Sequence, residues 1–266
     1  MSLSNLFATE EFVYKFNNEG FFGYSLEQDF FDFSFWHFLP IIILCAAIFF
    51  TYRYREKIKG FKHEETLRFV LAAVILLNEF AYFWRLLYVG SALSGDQLIT
   101  YLPLEVCQWS AFLCAFMLMK KSKHLFDICF YICLSLGLLP LFTPAVIHYT
   151  GPSYFRYYQF WLEHILPIYA VFYMLFVMGY KPDFKKIWKP YCALAVLATF
   201  AIIANLNIEG ANFMYLADTT DGSSLANILP PSIPLRLVIG FGLVTVLFAL
   251  LSIPQIVRLC KTKKKA

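Results

Sequence analysis

The sequence predicts an all-α polytopic membrane protein with seven transmembrane helices, its N-terminus outside the cell and its C-terminus in the cytoplasm. Of the 266 residues, 60% are hydrophobic and 20% aromatic, and the mean hydropathy is +0.62. Soluble domains are nearer half apolar, so this composition is that of a membrane domain. The basic residues are distributed so unevenly that they also predict the orientation.

Seven apolar segments can be drawn; the first is short, and the others are near the ~20 residues that a helix needs to cross the hydrocarbon core of a bilayer. They cover residues 37–52, 67–89, 101–119, 125–148, 157–179, 188–207 and 233–257. We therefore predict one membrane domain over residues 37–257. Residues 208–232 form its only sizeable outer loop, and their Asn, Gly, Asp and aromatic residues are typical of a binding loop.

The basic residues define the predicted orientation. Eighteen of the 22 Lys and Arg residues fall in alternate connections and in the C-terminal tail, whereas Lys15, Arg85, Arg156 and Arg236 lie elsewhere. Cytoplasmic connections of membrane proteins carry an excess of Lys and Arg. The pattern therefore predicts a multi-pass membrane protein with a cytoplasmic C-terminus, and the plasma membrane is its expected location.

The two ends of the chain have contrasting compositions. Residues 1–36 mix aromatic and acidic side chains, which predicts an outer segment lying at the membrane interface. Residues 258–266 form a basic cytoplasmic tail that is expected to contact anionic lipid headgroups. The net charge of +4 averages over this segregated pattern and does not indicate a nucleic-acid partner.

Ionisable side chains within apolar helices are costly, so each one needs a partner or a function. The second segment carries Glu79 and Arg85, whose spacing puts them on different faces of a helix. Both are therefore expected to find partners on other helices. They can form structural ion pairs, or Glu79 can orient a catalytic histidine and Arg85 can hold a lipid phosphate.

A cysteine and a histidine lie at a similar depth in two of the predicted helices. Cys107 follows Glu105 in the third segment, and His164 follows Glu163 in the fifth. Both segments enter from the outer side, so the thiol and the imidazole can meet near that face. A lone buried cysteine usually packs, and a lone buried histidine often makes a structural hydrogen bond. Together they have the groups needed for acyl transfer through a thioester.

A pair formed by Cys107 and His164 would act by a definite route. His164 would take the thiol proton, and the thiolate would attack an ester carbonyl to form a thioacyl enzyme. The acyl group would then pass to an alcohol or to water. Glu79 or Glu163 would orient the imidazole, while Asn212 or backbone N–H groups of the outer loop would stabilise the oxyanion. This route requires neither a cofactor nor a metal ion.

Three short motifs resemble those of a known family. They are LPLEVC at 102–107, EHILP at 163–167 and GANFMYL at 210–216. Together with the seven-helix plan, they are similar to the motifs of bacterial YwaF-type integral membrane proteins, relatives of vertebrate transmembrane protein 164. The similarity covers most of the chain, from about residue 35 to 257.

The resemblance implies an activity and the residues that carry it. The vertebrate relative is regarded as an acyltransferase that moves fatty acyl chains between phospholipids with a cysteine and a histidine, roles that would fall on Cys107 and His164. Asn212 and Tyr215 would belong to a Gly-x-Asn-aromatic loop motif. Glu105 is a departure, because bacterial members often carry histidine there, and this change can alter which group tunes the thiol.

Two other classes of protein fit parts of the pattern. His37, His148 and His164 lie in the predicted outer half. With Asp218 or Glu79 they would make the zinc site of a metal-dependent lipid hydrolase, although no HxxxH or HExxH spacing supports it. A small-molecule transporter with an intramembrane site is consistent with the Gly and Pro residues that interrupt the fourth segment. An odd number of helices without a visible repeat argues against a transporter.

The sequence therefore predicts a membrane acyltransferase or transacylase that acts on phospholipid or lysophospholipid near the outer leaflet. Its predicted partners are these lipids and the bilayer, and the sequence indicates no particular oligomeric state. Cys107 is the predicted nucleophile and His164 the general base. The predicted supporting residues are Glu79, Glu105 and Glu163, and those of the oxyanion or headgroup site are Asn212, Tyr215 and Arg85.

Overall fold

The structure, a computed structural model, is built of helices. It describes residues 20–23, 25, 27–89, 102–144, 147–209, 211–217 and 232–263, and in these ranges there is no β-strand. The α-helices in the same ranges are α1 Phe35–Lys59, α2 Glu64–Val89, α3 Val106–Lys120, α4 Lys123–Cys133, α5 Leu139–Phe142, α6 Phe155–Phe176, α7 Trp188–Asn207 and α8 Ile233–Lys263. The short 3-10 turns are Leu136–Leu138, Phe184–Lys186 and Phe213–Tyr215.

Each of the seven predicted segments contains a helix. By length and apolar composition, three described stretches can cross a membrane: Phe35–Lys59, Phe184–Asn207 and Ile233–Val257. A fourth is added if α4 and the helical stretch Leu136–Phe142 form one bent span. The chain is therefore an all-helical membrane protein, while seven spans and the orientation of the termini stay predictions.

The fourth predicted segment is broken rather than continuous. α4 ends at Cys133, and the next helical stretch is inclined to it by 49°. Pro140 stands in the first turn of α5, where its missing N–H costs little because that group would have no partner inside the helix. A proline in this position starts a new helix more readily than it continues the previous one.

α6 lies at the centre of the bundle. It contacts α1, α2, α3 and α4, and Trp161, Ile168 and Met174 along it are almost fully buried. α7 packs on α4 and on the turn Phe213–Tyr215. α8 is more peripheral, because only 11% of its apolar window is buried inside the protein. Such an apolar surface is suited to contact with lipid chains.

Residues before α1 fold back onto the connection between α5 and α6. The backbone N–H of Asp29 donates to the carbonyl of His148 at 2.9 Å. Gly151 permits the close approach, because a Cβ at this position would lie 2.6 Å from the Asp29 backbone oxygen. Phe21, Phe22, Phe31 and Phe33 in the same stretch of chain have exposed rings, as expected for a segment at the membrane interface. Residues 1–19 of the predicted interfacial segment lie outside the described residues.

Candidate active site

Three helices meet at the predicted acyl-transfer residues. α2, α3 and α6 contact one another in pairs. α2 contributes Glu79, and α3 contributes Cys107. α6 contributes Glu163 and His164. Residues that the sequence places only at a similar depth therefore belong to one helix junction.

Cys107 is the second residue of α3, and the start of that helix fixes its direction. Glu105 is the N-cap, and its backbone N–H donates to the side-chain oxygen of Gln108 at 3.1 Å. This pairing rigidifies the first turn. The Cys107 thiol is partly buried and lies near the carboxylate of Glu163, with no hydrogen bond between them in the described part of the structure. The carboxylates of Glu105 and Glu79 are also close enough to act on it electrostatically.

Two side chains from the preceding turns of α6 hold Glu163 in place. The amide of Gln159 donates to a carboxylate oxygen at 3.1 Å, and the guanidinium of Arg156 donates to the same oxygen at 3.4 Å. Arg156 also hydrogen-bonds to Gln159 and lies over the ring of Tyr82, 4.5 Å from its centroid. A charge removed from water needs such partners. The carboxylate that faces the thiol is therefore fixed by a local network.

His164 has a defined tautomer. Its ring is 7% exposed, and Nδ1 lies 2.8 Å from the backbone carbonyl of Phe160. Because a carbonyl can only accept, Nδ1 carries the proton and Nε2 keeps its lone pair, which is the form that acts as a base. The described part of the structure has no hydrogen bond between this ring and the Cys107 sulfur.

Glu79 is the most unusual polar group of the junction. It is 1% exposed, and neither of its carboxylate oxygens has a hydrogen-bond partner among the described residues. The amide of Gln108 lies close to it but outside hydrogen-bonding geometry. Glu163 and Arg156 act on it electrostatically with opposite signs. A buried carboxyl group without donors is costly as an anion, so Glu79 is suited to carry a proton.

Glu105 connects the junction to the outer loop. Its carboxylate accepts a hydrogen bond from the backbone N–H of Met214 at 3.1 Å. Met214 and Tyr215 both have left-handed backbone conformations, with φ of 55° and 54°. Such conformations are unfavourable for residues with a Cβ and persist where the surroundings impose them. The Glu105 carboxylate therefore anchors a strained turn to the start of α3.

Asn212 shapes this turn, and Tyr215 faces outward from it. The side-chain oxygen of Asn212 accepts from the backbone N–H of Ala217 at 3.0 Å. The Tyr215 side chain is 37% exposed, and its backbone carbonyl accepts from Arg236 of α8 at 2.9 Å. Both residues thus lie in the loop that Glu105 ties to α3. The predicted oxyanion role of Asn212 stays a prediction.

The structure adds side chains that the sequence interpretation missed. Arg156 and Gln159 hold Glu163, and Gln108 pairs with the Glu105 backbone. The spacing could have identified two of them, because Gln159 precedes Glu163 by one helical turn and Gln108 follows Glu105 by three residues, as in a capping box. The Arg85 side chain, predicted to hold a phosphate, lies outside the described part of the structure.

The zinc alternative requires histidines with free ring nitrogens. His37 uses both of its nitrogens: Nδ1 accepts from the Phe33 N–H at 3.1 Å, and Nε2 lies 2.8 Å from the carbonyl of Leu141. Within the described ranges, no group of three or more His, Cys, Asp or Glu side chains is arranged to hold a metal ion. Asp218, another predicted ligand, lies outside those ranges.

These features define a class: an all-helical membrane protein in which a thiol, an imidazole and several carboxyl groups occupy one junction of three helices. The imidazole donates from Nδ1 to a backbone carbonyl, and the thiol lies near a carboxylate that other side chains hold in place. The chain belongs to the TMEM164 family, whose model matches residues 32–253. The relation to transmembrane protein 164 predicted from the three motifs is therefore confirmed. Comparison with curated proteins and with solved structures gives no match.

Proposed function

We propose that this protein is a cysteine-dependent acyltransferase or transacylase, which moves a fatty acyl chain between phospholipid or lysophospholipid molecules near the outer leaflet of the plasma membrane. The observation that supports it most is the junction of α2, α3 and α6, which brings the helix turns that carry Cys107 and His164 together. His164, in the tautomer of a base, belongs to the same junction. A nucleophile and a base within a membrane domain are suited to lipid esters.

The first half of the reaction makes a thioester. The thiol proton of Cys107 passes to Nε2 of His164, and the sulfur attacks the ester carbonyl of the donor lipid. The C–S bond forms as the C–O bond to the glycerol breaks, and the imidazolium gives its proton to the leaving glycerol oxygen. Glu163 positions the thiol, and its charge, which acts on His164, stabilises the transient imidazolium.

The second half returns the enzyme to its starting state. The hydroxyl of an acceptor gives its proton to Nε2 of His164 and attacks the thioester carbonyl. A C–O bond forms, the C–S bond breaks, and the Cys107 sulfur takes the proton from the imidazolium. In this mechanism the sulfur and the ring come within reach when lipid binds, since catalytic contacts often tighten only in the substrate complex.

The remaining residues have supporting roles in the proposal. Glu105 sets the position of the outer loop above the thiol through Met214. Backbone N–H groups of that loop and the Asn212 amide are the proposed donors to the oxyanion. Arg85, with Tyr215 at the exposed edge of the loop, is the proposed contact for the lipid headgroup.

Intact-protein mass spectrometry tests the nucleophile directly. The purified protein is incubated with a phospholipid, and the mass of one acyl chain is sought on the wild type and on Cys107→Ala and Cys107→Ser. Cys45→Ala is the matched control, because Cys45 is an exposed thiol of α1. We expect the adduct on the wild type and on the control and its loss from Cys107→Ala. An adduct that persists on Cys107→Ala would exclude the thioester.

Two observations favour a second function. The bend of 49° after Cys133 resembles the discontinuous helices that line the binding sites of transporters, and Glu79 is a buried carboxyl group without a hydrogen-bond partner among the described residues. A small-molecule carrier would show Glu79-dependent uptake into proteoliposomes without acyl transfer. Uptake that is unchanged in Cys107→Ala would favour the carrier over the enzyme.

A further inference from the structure

A second cluster of charged groups lies at the lysine-rich end of the bundle, which is predicted to be cytoplasmic. Its centre is Asp127 of α4, a side chain with 0% exposure. Lys123, one helical turn earlier, forms an ion pair with one carboxylate oxygen of Asp127. Lys189 and Lys186 approach the other oxygen at 3.6 and 4.0 Å. Three ammonium groups from two separate parts of the chain thus converge on one buried carboxylate.

The cluster has more positive than negative charge. One carboxylate can neutralise one lysine, and Asp183 offsets a second charge, since it lies 3.7 Å from Lys186. The third ammonium has no carboxylate of its own within the cluster. The N-terminal end of α4, an 11-residue helix, begins at Lys123 and adds the partial positive charge of its unpaired backbone N–H groups.

Lys186 and Lys189 lie close to Asp127, but their ammonium N–H groups do not form hydrogen bonds with it. The Asp127 oxygen that faces Lys186 and Lys189 has no hydrogen-bond partner among the described residues, so both ion pairs are longer than a hydrogen bond. Lys189 donates instead to Nδ1 of His124 at 2.7 Å. That contact makes Nδ1 an acceptor, so the neutral ring carries its proton on Nε2 as a further donor.

The excess positive charge lies at the protein surface, because two of the three lysine side chains are exposed. The Lys123 and Lys186 side chains are 37% and 40% exposed, whereas Asp127 is completely covered. A ligand that approaches from this side therefore meets N–H donors and positive charge, with the carboxylate behind them. This order of groups suits an anion that accepts several hydrogen bonds.

We propose that this cluster, formed by Lys123, Lys186, Lys189 and His124 around Asp127, is a binding site for a phosphate group. Basic pockets at the cytoplasmic ends of membrane helices bind the headgroups of anionic lipids. An anionic lipid phosphate and a free phosphate share the chemistry that the site recognises. The site is distinct from the helix junction of Cys107, and the proposal does not depend on acyl transfer.

Native mass spectrometry of the full-length protein in detergent tests the site. The probes are dioctanoyl phosphatidic acid, dioctanoyl phosphatidylcholine and inorganic phosphate. The test variant is Lys123→Gln with Lys186→Gln. The matched control is Lys57→Gln with Lys59→Gln, which removes the same charge from exposed positions of α1 that have no ion pair with Asp127. Lys185→Gln with Lys186→Gln is a second test variant, to be used if the first folds poorly. It keeps the ion pairs of Lys123 and Lys189 with Asp127.

We expect phosphatidic acid to bind the wild type more tightly than phosphatidylcholine. It should bind Lys123→Gln with Lys186→Gln at least about tenfold more weakly and Lys185→Gln with Lys186→Gln about fivefold more weakly, since each lysine of the cluster adds about 1 kcal/mol and Lys185 is not part of it. The control should retain wild-type affinity to within about twofold. Competition by inorganic phosphate would identify free phosphate as a ligand, and its absence would identify the lipid. Equal affinities of the wild type and both test variants, or an equal loss in the control, would overturn the proposal.

Discussion

The thiol of Cys107 lies near the carboxylate of Glu163, the residue that immediately precedes His164 in α6. Successive side chains of a helix point about 100° apart, so these two neighbours face different groups. Glu163 faces the thiol, while His164 bonds to the carbonyl of Phe160. In the proposed reaction Glu163 is therefore a positioning residue for the thiol, and the backbone of α6 sets the tautomer of the imidazole.

The pair formed by Arg156 and Glu163 should be energetically coupled. Both side chains are largely buried, at 14% and 8% exposure, so Arg156→Gln or Glu163→Gln alone leaves a charge without its partner. We expect each single substitution to lower the free energy of unfolding by ~2 kcal/mol and the double substitution to cost less than the sum. Denaturant unfolding of all four proteins in mixed micelles measures this, and additive losses would show that the pair is not coupled.

His164→Gln should remove the general base while leaving the fold intact. The amide side chain is similar in size and can still donate to the Phe160 carbonyl, but it cannot take a proton at neutral pH. We expect the rate of thioester formation on Cys107 to fall by roughly 10²- to 10⁴-fold. Rapid-quench mass spectrometry measures the rate, with His63→Gln as the control, because His63 is exposed in the connection between α1 and α2. A wild-type rate in His164→Gln would exclude His164 as the base.

Glu79→Gln should be nearly as stable as the wild type if Glu79 carries a proton and no negative charge. An amide has nearly the shape of a protonated carboxyl group, and no hydrogen bond to Glu79 is lost among the described residues. We expect the free energy of unfolding to stay within about 1 kcal/mol of the wild type, whereas Glu79→Ala should lose ~2 kcal/mol through the cavity it leaves. Glu65→Gln, at a 72% exposed side chain, is the control. Equal losses in Glu79→Gln and Glu79→Ala would show that the negative charge itself is needed.

The sequence predicts the helices well because long apolar stretches have few alternatives in a membrane protein. All seven predicted segments contain helices, and in the fourth segment Gly137 and Pro140 lie in the helical stretch that follows the bend. The boundaries shift most where capping decides them: α3 begins at Val106 rather than at residue 101, because Glu105 caps it and Pro103 precedes it. Capping depends on a few side chains, and an apolar pattern does not report them.

The candidate site is less predictable, because contacts between helices depend on their rotation. Apolar runs give the depth of Cys107 and Glu163 but not the direction in which each side chain points. The hydrogen bonds within one helix, such as Gln159 to Glu163, follow from spacing. The proximity of Cys107 to Glu163, and the contact of Glu105 with Met214, require the packing of separate elements.

Asn205 should determine whether the turn Phe213–Tyr215 keeps its shape. Its side chain donates to the carbonyl of Phe213 at 3.0 Å and accepts from the N–H of the same residue at 2.8 Å. Asn205→Ala leaves both backbone groups of a buried residue without these partners, and each loss costs about 1–3 kcal/mol. Because Met214 and Tyr215 hold left-handed conformations that need external support, we expect the turn to open locally while the helices stay folded.

Hydrogen–deuterium exchange measures this opening at residues 211–217. Asn207→Ala is the matched control, because Asn207 donates only to a helix carbonyl, that of Ile203. We expect exchange in the turn to rise at least about tenfold in Asn205→Ala, as a loss of 1.4 kcal/mol or more implies, and to stay unchanged in the control. Thioester formation should slow in the same variant if loop N–H groups stabilise the oxyanion. Unchanged exchange in Asn205→Ala would mean that Glu105 and Arg236 suffice to hold the turn. Faster exchange with a wild-type rate of thioester formation would exclude the loop as the oxyanion site.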